Sequence, residues 1–247
     1  MKQNKYDDPD FFDKYRQMPR SVGGLDAAHE WGAFRAMLPD LQGQRVLDLG
    51  CGFGWHCRYA RQQGAASVVG VDISEKMLAR AREMTEDPAI QYIQAAIEDI
   101  DFPAESFDVA ISSLAIHYVE RFDLVCRAVR QCLTVGGAFV LSVEHPTFTA
   151  VATQNWSLGP SGERLHWPVD DYQQETIRHT QWLAPDVVKY HRTFATYLNT
   201  LIDEGFQISR LSEAPVTAED IAQNPGLKDD RRRPTFLLIA AVKDTLP

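Results

Sequence analysis

Residues 46–54 constrain this chain most. Val46, Leu47, Asp48 and Leu49 form a short, mostly apolar run, and Gly50, Gly52 and Gly54 follow at alternate positions, with Cys51 and Phe53 between them. The run suits a buried parallel strand, and glycines placed directly after it let the backbone turn sharply and approach a ligand without Cβ interference. The expected ligand therefore sits at the carboxyl end of that strand. A dinucleotide fingerprint GxGxxG needs its third glycine at position 55, which is Trp55, and Asp48 would repel a pyrophosphate. A phosphate loop fails as well, because no Gly-Lys-Ser/Thr follows.

A second landmark lies downstream. Val68, Val69, Gly70, Val71 and Asp72 make another apolar run ending in an acid, followed by Ile73 and Ser74. A carboxylate at the end of the next strand is suited to ribose hydroxyls, although such an acid also serves as a helix cap. In this order and spacing the two segments resemble the class I S-adenosylmethionine (SAM) dependent methyltransferases of the small-molecule, domain 11-like type. Asp48, Gly50, Gly52 and Gly54 match the family's DxGxGxG motif. The resemblance implies SAM as cofactor and an α/β, Rossmann-like, seven-stranded and mostly parallel sheet of order 3-2-1-4-5-7-6. It covers residues 40–145 and 193–243, roughly.

Alternation of strands and helices supports this class without the resemblance. Strands are expected at 67–72, 90–94, 107–112, 137–143, 206–211 and 236–242, and helices at 55–63, 74–85, 122–133 and 193–204, with a turn at Gly136 and Gly137. Two stretches fall outside the pattern. Residues 1–39 read as a helical lid, a pair of amphipathic helices carrying Phe11, Phe12, Tyr15, Met18 and Trp31; the remainder, 40–247, is the SAM-binding domain. Residues 146–192 read as an insertion after the fifth strand that covers the substrate, with a hairpin permitted by the alternation in 172–182 and 187–191. Together they hold all but one of the five tryptophans.

The resemblance also places site residues. Cys51 lies in the glycine loop, where its small side chain suits packing. Ile97 and Glu98 fall where the family reads adenine, although Ala96 stands in place of the usual acid. Ser112 opens a stretch expected to line the methionine end of the cofactor. His117 reads either as a base near the transferred methyl or as a packed histidine at a helix start, and Glu144 and His145 follow the fifth strand at the same sheet edge. Arg20 is a candidate partner for the cofactor carboxylate, against the plainer reading of a solvated arginine beside a turn. Residues 190–193 either line the pocket or pack the late helix.

A net charge of -9 disfavours nucleic acid as a partner. Arg231, Arg232 and Arg233 read as a solvated face before the last strand. The apolar runs are too short for a membrane span, the start lacks a secretory h-region, and a cytoplasmic protein is expected. Cysteines 51, 57, 126 and 132 match no zinc spacing, so free thiols and no metal are expected. The expected reaction is methyl transfer to a small-molecule acceptor by in-line displacement, which depends chiefly on alignment. A nucleotide-linked oxidoreductase is disfavoured by Trp55 and Asp48. The alternative from another class is a SAM-binding regulatory or scaffold protein, and oligomeric state does not follow from the sequence.

Overall fold

Alternate residues of the first strand serve opposite faces of a sheet. In β1 (Arg45–Leu49) Val46 packs into one hydrophobic cluster while Leu47 and Leu49 pack into another, as the two-residue period of a strand buried on both sides requires. The computed structural model describes residues 2–244. Before β1 come three short helices, α1 (Pro9–Tyr15), α2 (Pro19–Gly23) and α3 (Trp31–Arg35). The expected pair of amphipathic helices is thus cut into shorter pieces. Pro9 and Pro19 each start a new helix, and Gly24, at φ 67°, ends the second.

After β1 the chain runs through α4 (Trp55–Gln62), β2 (Ser67–Asp72), α5 (Glu75–Glu83), β3 (Ile90–Gln94), β4 (Phe107–Ser113), α6 (Phe122–Cys132) and β5 (Leu133–Glu144). Ser74 caps α5 by accepting from the Met77 N–H at 3.1 Å, as its side chain type suggests. The turn expected at Gly136 and Gly137 is instead a bulge within β5, which starts already at Leu133, with Gly136 at φ 77°. While the β4 partner advances from Phe107 to Val109, β5 advances from Leu133 to Ala138, so the intervening residues bulge out of register.

The insertion supplies α7 (Pro146–Thr149), a small hairpin of β6 (Ser157–Leu158) and β7 (Arg164–His166), and a longer hairpin of β8 (Ile177–Trp182) and β9 (Ala184–Tyr190). Pro185 is tolerated because that hairpin is a separate two-stranded sheet with free edges. Then follow α8 (Phe194–Asp203), capped by Thr193 and ended before Gly205 at φ 79°, β10 (Phe206–Ser212), α9 (Ala218–Gln223) and β11 (Phe236–Lys243).

The main sheet has seven strands in the order β10-β11-β5-β4-β1-β2-β3. Counting only strands of that sheet, this is the expected order 3-2-1-4-5-7-6. Pairings among β1 to β5 are parallel, and β11 is antiparallel to both β5 and β10. One face is packed by α6 and α8 through Val125, Val129, Tyr197 and Leu201; the other by α3, α4 and α5 through Trp31, Phe34, Ala60 and Leu78. No helix among the described residues is long and apolar enough to cross a membrane.

Candidate active site

The carboxyl ends of β1, β2, β4 and β5 open onto a cavity of about 1030 Å³. That is at the upper limit of the ~300–1,000 Å³ usual for one small ligand, which leaves room for two reactants side by side. Its floor includes Gly50, Gly52, Asp72 and Ile73, one end reaches Ala96, Ile97 and Glu98, and the wall beyond β4 contains Ser113, His117 and Tyr118.

Asp72 organises the floor. One carboxylate oxygen accepts from the Gly52 N–H and the other from the Ser74 N–H, each at 2.9 Å. The acid thus clamps the glycine loop to the start of α5 and keeps further lone pairs for a ligand. Burial pushes its carboxyl up to about 6, against the lowering effect of those backbone bonds.

The three motif glycines do different work. All have positive φ, but a Cβ on Gly50 would lie 2.3 Å from the Ala115 Cβ and one on Gly54 would lie 2.1 Å from the Tyr92 hydroxyl. Packing inside the protein therefore demands glycine at both. At Gly52 a Cβ would meet only the end of Met77, at 3.3 Å, and Gly52 faces the cavity. Close approach of a ligand accounts for this one.

Several sequence candidates lie just outside the cavity. Asp48 points into the α4 layer, 1% exposed, where the Cys57 thiol donates to it at 3.2 Å; burial pushes its carboxyl up to about 7. Cys51 is buried beneath the loop and its thiol is pushed up to about 11 by burial, which suits packing. Ser112 is fully buried and donates to the Leu49 carbonyl at 2.9 Å, so strand alternation gives the cavity Ser113 instead. His145 caps α7 by accepting from the Thr147 N–H and pairs with Glu213 at 2.9 Å, away from the cavity.

His117 and Glu144 do reach it. His117 is 2% exposed, burial pulls its imidazole down to about 4, and its Nδ1 faces the Glu144 N–H at 3.4 Å. This leaves the proton on Nε2 and makes His117 a neutral donor. Glu144 is bonded at both oxygens, by Lys189 at 2.5 Å and by the Gln154 amide at 3.0 Å. Burial opposes its ionisation, but His117 and Lys189 together with these bonds outweigh burial and hold its carboxyl below the ordinary value. Neither group is a strong base near neutral pH.

Both outlying segments also line the cavity. Tyr6, Phe11, Tyr15, Arg20 and Glu30 approach from the N-terminal side, and Trp182, Lys189 and Tyr190 from the long hairpin. Tyr6 touches Phe11, Tyr15 and Tyr118 edge-on, with centroids 5.0, 5.2 and 6.3 Å apart. The two segments are also joined directly: Gln3 bonds the backbone of Asp186 and Val188, Lys5 that of Pro185, and Lys14 that of Leu183. Of residues 190–193, only Tyr190 lines the cavity; Arg192 is buried against Phe122 and Tyr197 and donates to the Glu120 carbonyl at 2.7 Å.

Sequence reasoning passed over Glu30, Lys189, Gln154 and Tyr6. The one signal for Lys189 was its place in an alternating hairpin strand, which puts it on the same face as Val187. Arg231 and Arg232 are exposed as expected, although Arg232 also lies over Trp156 at 4.4 Å; Arg233 departs from expectation, half-buried over Trp167 at 4.3 Å.

A family model described as methyltransferase domain matches residues 47–141. An S-adenosylmethionine dependent methyltransferase from Mesorhizobium loti shares 49% identity and a TM-score of 0.84, covering 89% of this chain and 100% of that one. A Listeria monocytogenes protein assigned to the same class shares 48% identity and a TM-score of 0.85, covering 90% of this chain and 99% of that one. The chain belongs to the SAM-dependent methyltransferases. It is also 32% identical over 245 residues to an uncharacterized Haemophilus influenzae protein, covering 96% of each chain. As a member of this family it is an enzyme with SAM as cofactor, and the cavity fits that group: an acid on β2, a glycine open to close approach, and space beyond them.

Proposed function

We propose that this methyltransferase acts on a small, partly apolar acceptor, which lies between His117, Tyr118 and the aromatic cover. The observation that carries this reading is the continuity of the cavity from Asp72 and Gly52 to Tyr6, Trp182 and Tyr190. Asp72 would hold the ribose hydroxyls, Gly52 and Ile73 would pass against the cofactor, and Ile97 and Glu98 would bound the adenine.

SAM supplies, when bound, a methyl group on a sulfonium that needs no acid to leave. The chain's own residues then have to align, exclude water and tune polarity. Alignment of two bound reactants is worth roughly 7–11 kcal/mol in favourable cases. Tyr6, Tyr15, Phe11 and Trp182 exclude water, and His117 offers an N–H to hold a polar acceptor atom. With Glu144 committed to Lys189, an acceptor that enters already as its nucleophilic form suits this site best. Residues 1–39 and 146–192 act as its cover, and the four free, buried cysteines suit the reducing cytoplasm.

The test is mass spectrometry of purified protein for carried-over SAM or S-adenosylhomocysteine, followed by a small-molecule acceptor screen with methyl-labelled SAM. Label transfer to a small molecule supports the reading. Cofactor carriage with label passing only to protein or RNA, or to nothing, overturns it, the last outcome favouring a scaffold role.

A further inference from the structure

Around His117 the cavity presents protons to a ligand and keeps its basic atoms occupied. The His117 Nδ1 accepts from the Glu144 N–H at 3.4 Å, so the imidazole offers a ligand the N–H of Nε2. Tyr118, next in the chain and 4.3 Å away ring to ring, adds a phenol that burial keeps protonated. The acid beside His117 is engaged at both oxygens, Glu144 accepting from Lys189 at 2.5 Å and from Gln154 at 3.0 Å. Asp230, further along the same wall, is held by Arg233 at 3.1 Å.

Beyond this polar spot the wall turns apolar. Phe236 stands opposite Glu144 across the β5–β11 ladder, and Phe148 and Leu227 line the cavity with it, each half-buried. A ligand lying here meets donors at one end and aromatic and aliphatic carbon along the rest.

Proton count and charge select among acceptors for such a site. Amines, thiols and phenols ordinarily titrate at about 10, 8.5 and 10, so each reaches the site mostly protonated and has to give a proton to a base. A carboxyl, at about 4, arrives ionised. It also brings a negative charge to a sulfonium, an attraction that is stronger in a buried site than in water, whereas an ammonium would be repelled.

We infer that the acceptor is a carboxylate with an apolar body, its head held by the His117 N–H and the Tyr118 hydroxyl and its body lying along Phe148, Leu227 and Phe236. This names the acceptor class within the small-molecule reading and rests on that reading. One carboxylate oxygen attacks the methyl carbon as the carbon–sulfur bond breaks, and the electron pair of that bond stays on sulfur. The two charges cancel, a methyl ester and S-adenosylhomocysteine result, and no proton has to be placed.

The test incubates the full chain at neutral pH with methyl-labelled SAM and probes that share one body: octanoate, octylamine and octanethiol, with phenylacetate, phenethylamine and phenethyl thiol as a second set. A methyl ester is recognised by its release of labelled methanol in mild alkali, which N-methyl and S-methyl products do not give. Transfer to the carboxylates should exceed transfer to the amines and thiols by about tenfold or more. Tyr118→Phe and His117→Leu should each raise KM for the better carboxylate by about tenfold, the loss of one hydrogen bond to a charged group, with KM for SAM within about twofold of wild type. Tyr118→Phe, which removes one hydroxyl, carries this arm should His117→Leu not fold. Faster labelling of an amine or thiol, or an unchanged KM in every variant that folds, overturns the inference and leaves the small-molecule reading standing. Label on none of the probes overturns both.

Discussion

The Lys189 ammonium lies 2.5 Å from the Glu144 carboxylate and is 1% exposed, so a hairpin strand of the insertion is fastened to the end of β5 by a buried ion pair. Gln154 closes the group, donating to Glu144 and accepting from Lys189 at 3.2 Å. Removing one partner strands the other. Lys189→Met should therefore destabilise the fold by about 3–5 kcal/mol, and the double variant Lys189→Met with Glu144→Leu should recover most of that loss. Urea denaturation of both variants measures it. An equal loss in the double variant would show that the pair itself, rather than the stranded charge, matters.

The motif glycines should separate by phenotype. Gly50→Ala and Gly54→Ala drive a Cβ into Ala115 and Tyr92, so both should lower the melting temperature by several degrees. Gly52→Val should remain folded, with a modest cost from its positive φ, yet lose most of its affinity for S-adenosylhomocysteine. Paired melting curves and calorimetry decide this, and wild-type affinity in Gly52→Val would reduce that glycine to a turn residue.

Acidity should weaken cofactor binding through Asp72. Its carboxyl is pushed up to about 6, and the ionised form is the stronger acceptor for ribose hydroxyls. Affinity for S-adenosylhomocysteine should fall as the pH drops through about 6. Asp72→Asn should bind about ten- to a hundredfold more weakly near neutrality and lose this dependence. Because Asp72 also takes the Gly52 and Ser74 N–H groups, Asp72→Ala should destabilise the fold by roughly 1–3 kcal/mol as well. A pH profile unchanged in the Asn variant would assign the dependence to another group.

Asp48 gives a stability profile of its own. Burial pushes it up to about 7 from an ordinary 3.8, so the folded state binds its proton more tightly than the unfolded chain does. Stability from this group is complete at low pH and is lost as the pH rises through about 7. Asp48→Asn removes the charge, and should raise stability near pH 8 by roughly 1–3 kcal/mol while flattening the profile between about pH 4 and pH 7. Denaturant midpoints across that range check it. A variant less stable than wild type at every pH would mean that the ionised form is wanted.

The arginines before β11 hold the insertion in place. Arg233 lies over Trp167 and Phe148 at 4.3 and 4.6 Å, so Arg233→Ala should release the small hairpin. The expected effect is faster hydrogen exchange across residues 155–168, worth about 1–2 kcal/mol, with the main sheet unchanged. Exchange measured by mass spectrometry reports on both regions at once.

Local periodicity made β1, β2, β3, β4, β10 and β11 legible, because strands such as Val46 to Leu49 carry their burial in their own sequence. Sheet order came through the family resemblance, since no periodicity records which strand lies beside β5. The acid on β2 and the open glycine were readable for the same reason: each sits at a fixed distance from a strand end. Glu30 and Lys189 were not, as they belong to segments whose position above the sheet depends on distant contacts such as Lys14 to Leu183. The alternation of strand faces was available for Ser112 and Ser113, yet only the neighbouring Leu49 carbonyl shows which one turns inward. Arg233 reads as solvated because Trp167, which it meets, lies more than sixty residues away in the sequence.

The bonds from Gln3, Lys5 and Lys14 to the tip of the long hairpin turn two covers into a single door. Parting the two segments on that side would break the bonds that the Lys14 and Lys5 side chains donate to the Leu183 and Pro185 carbonyls. Substitutions at that tip are placed to alter how long a spent cofactor dwells inside while leaving the cavity floor untouched.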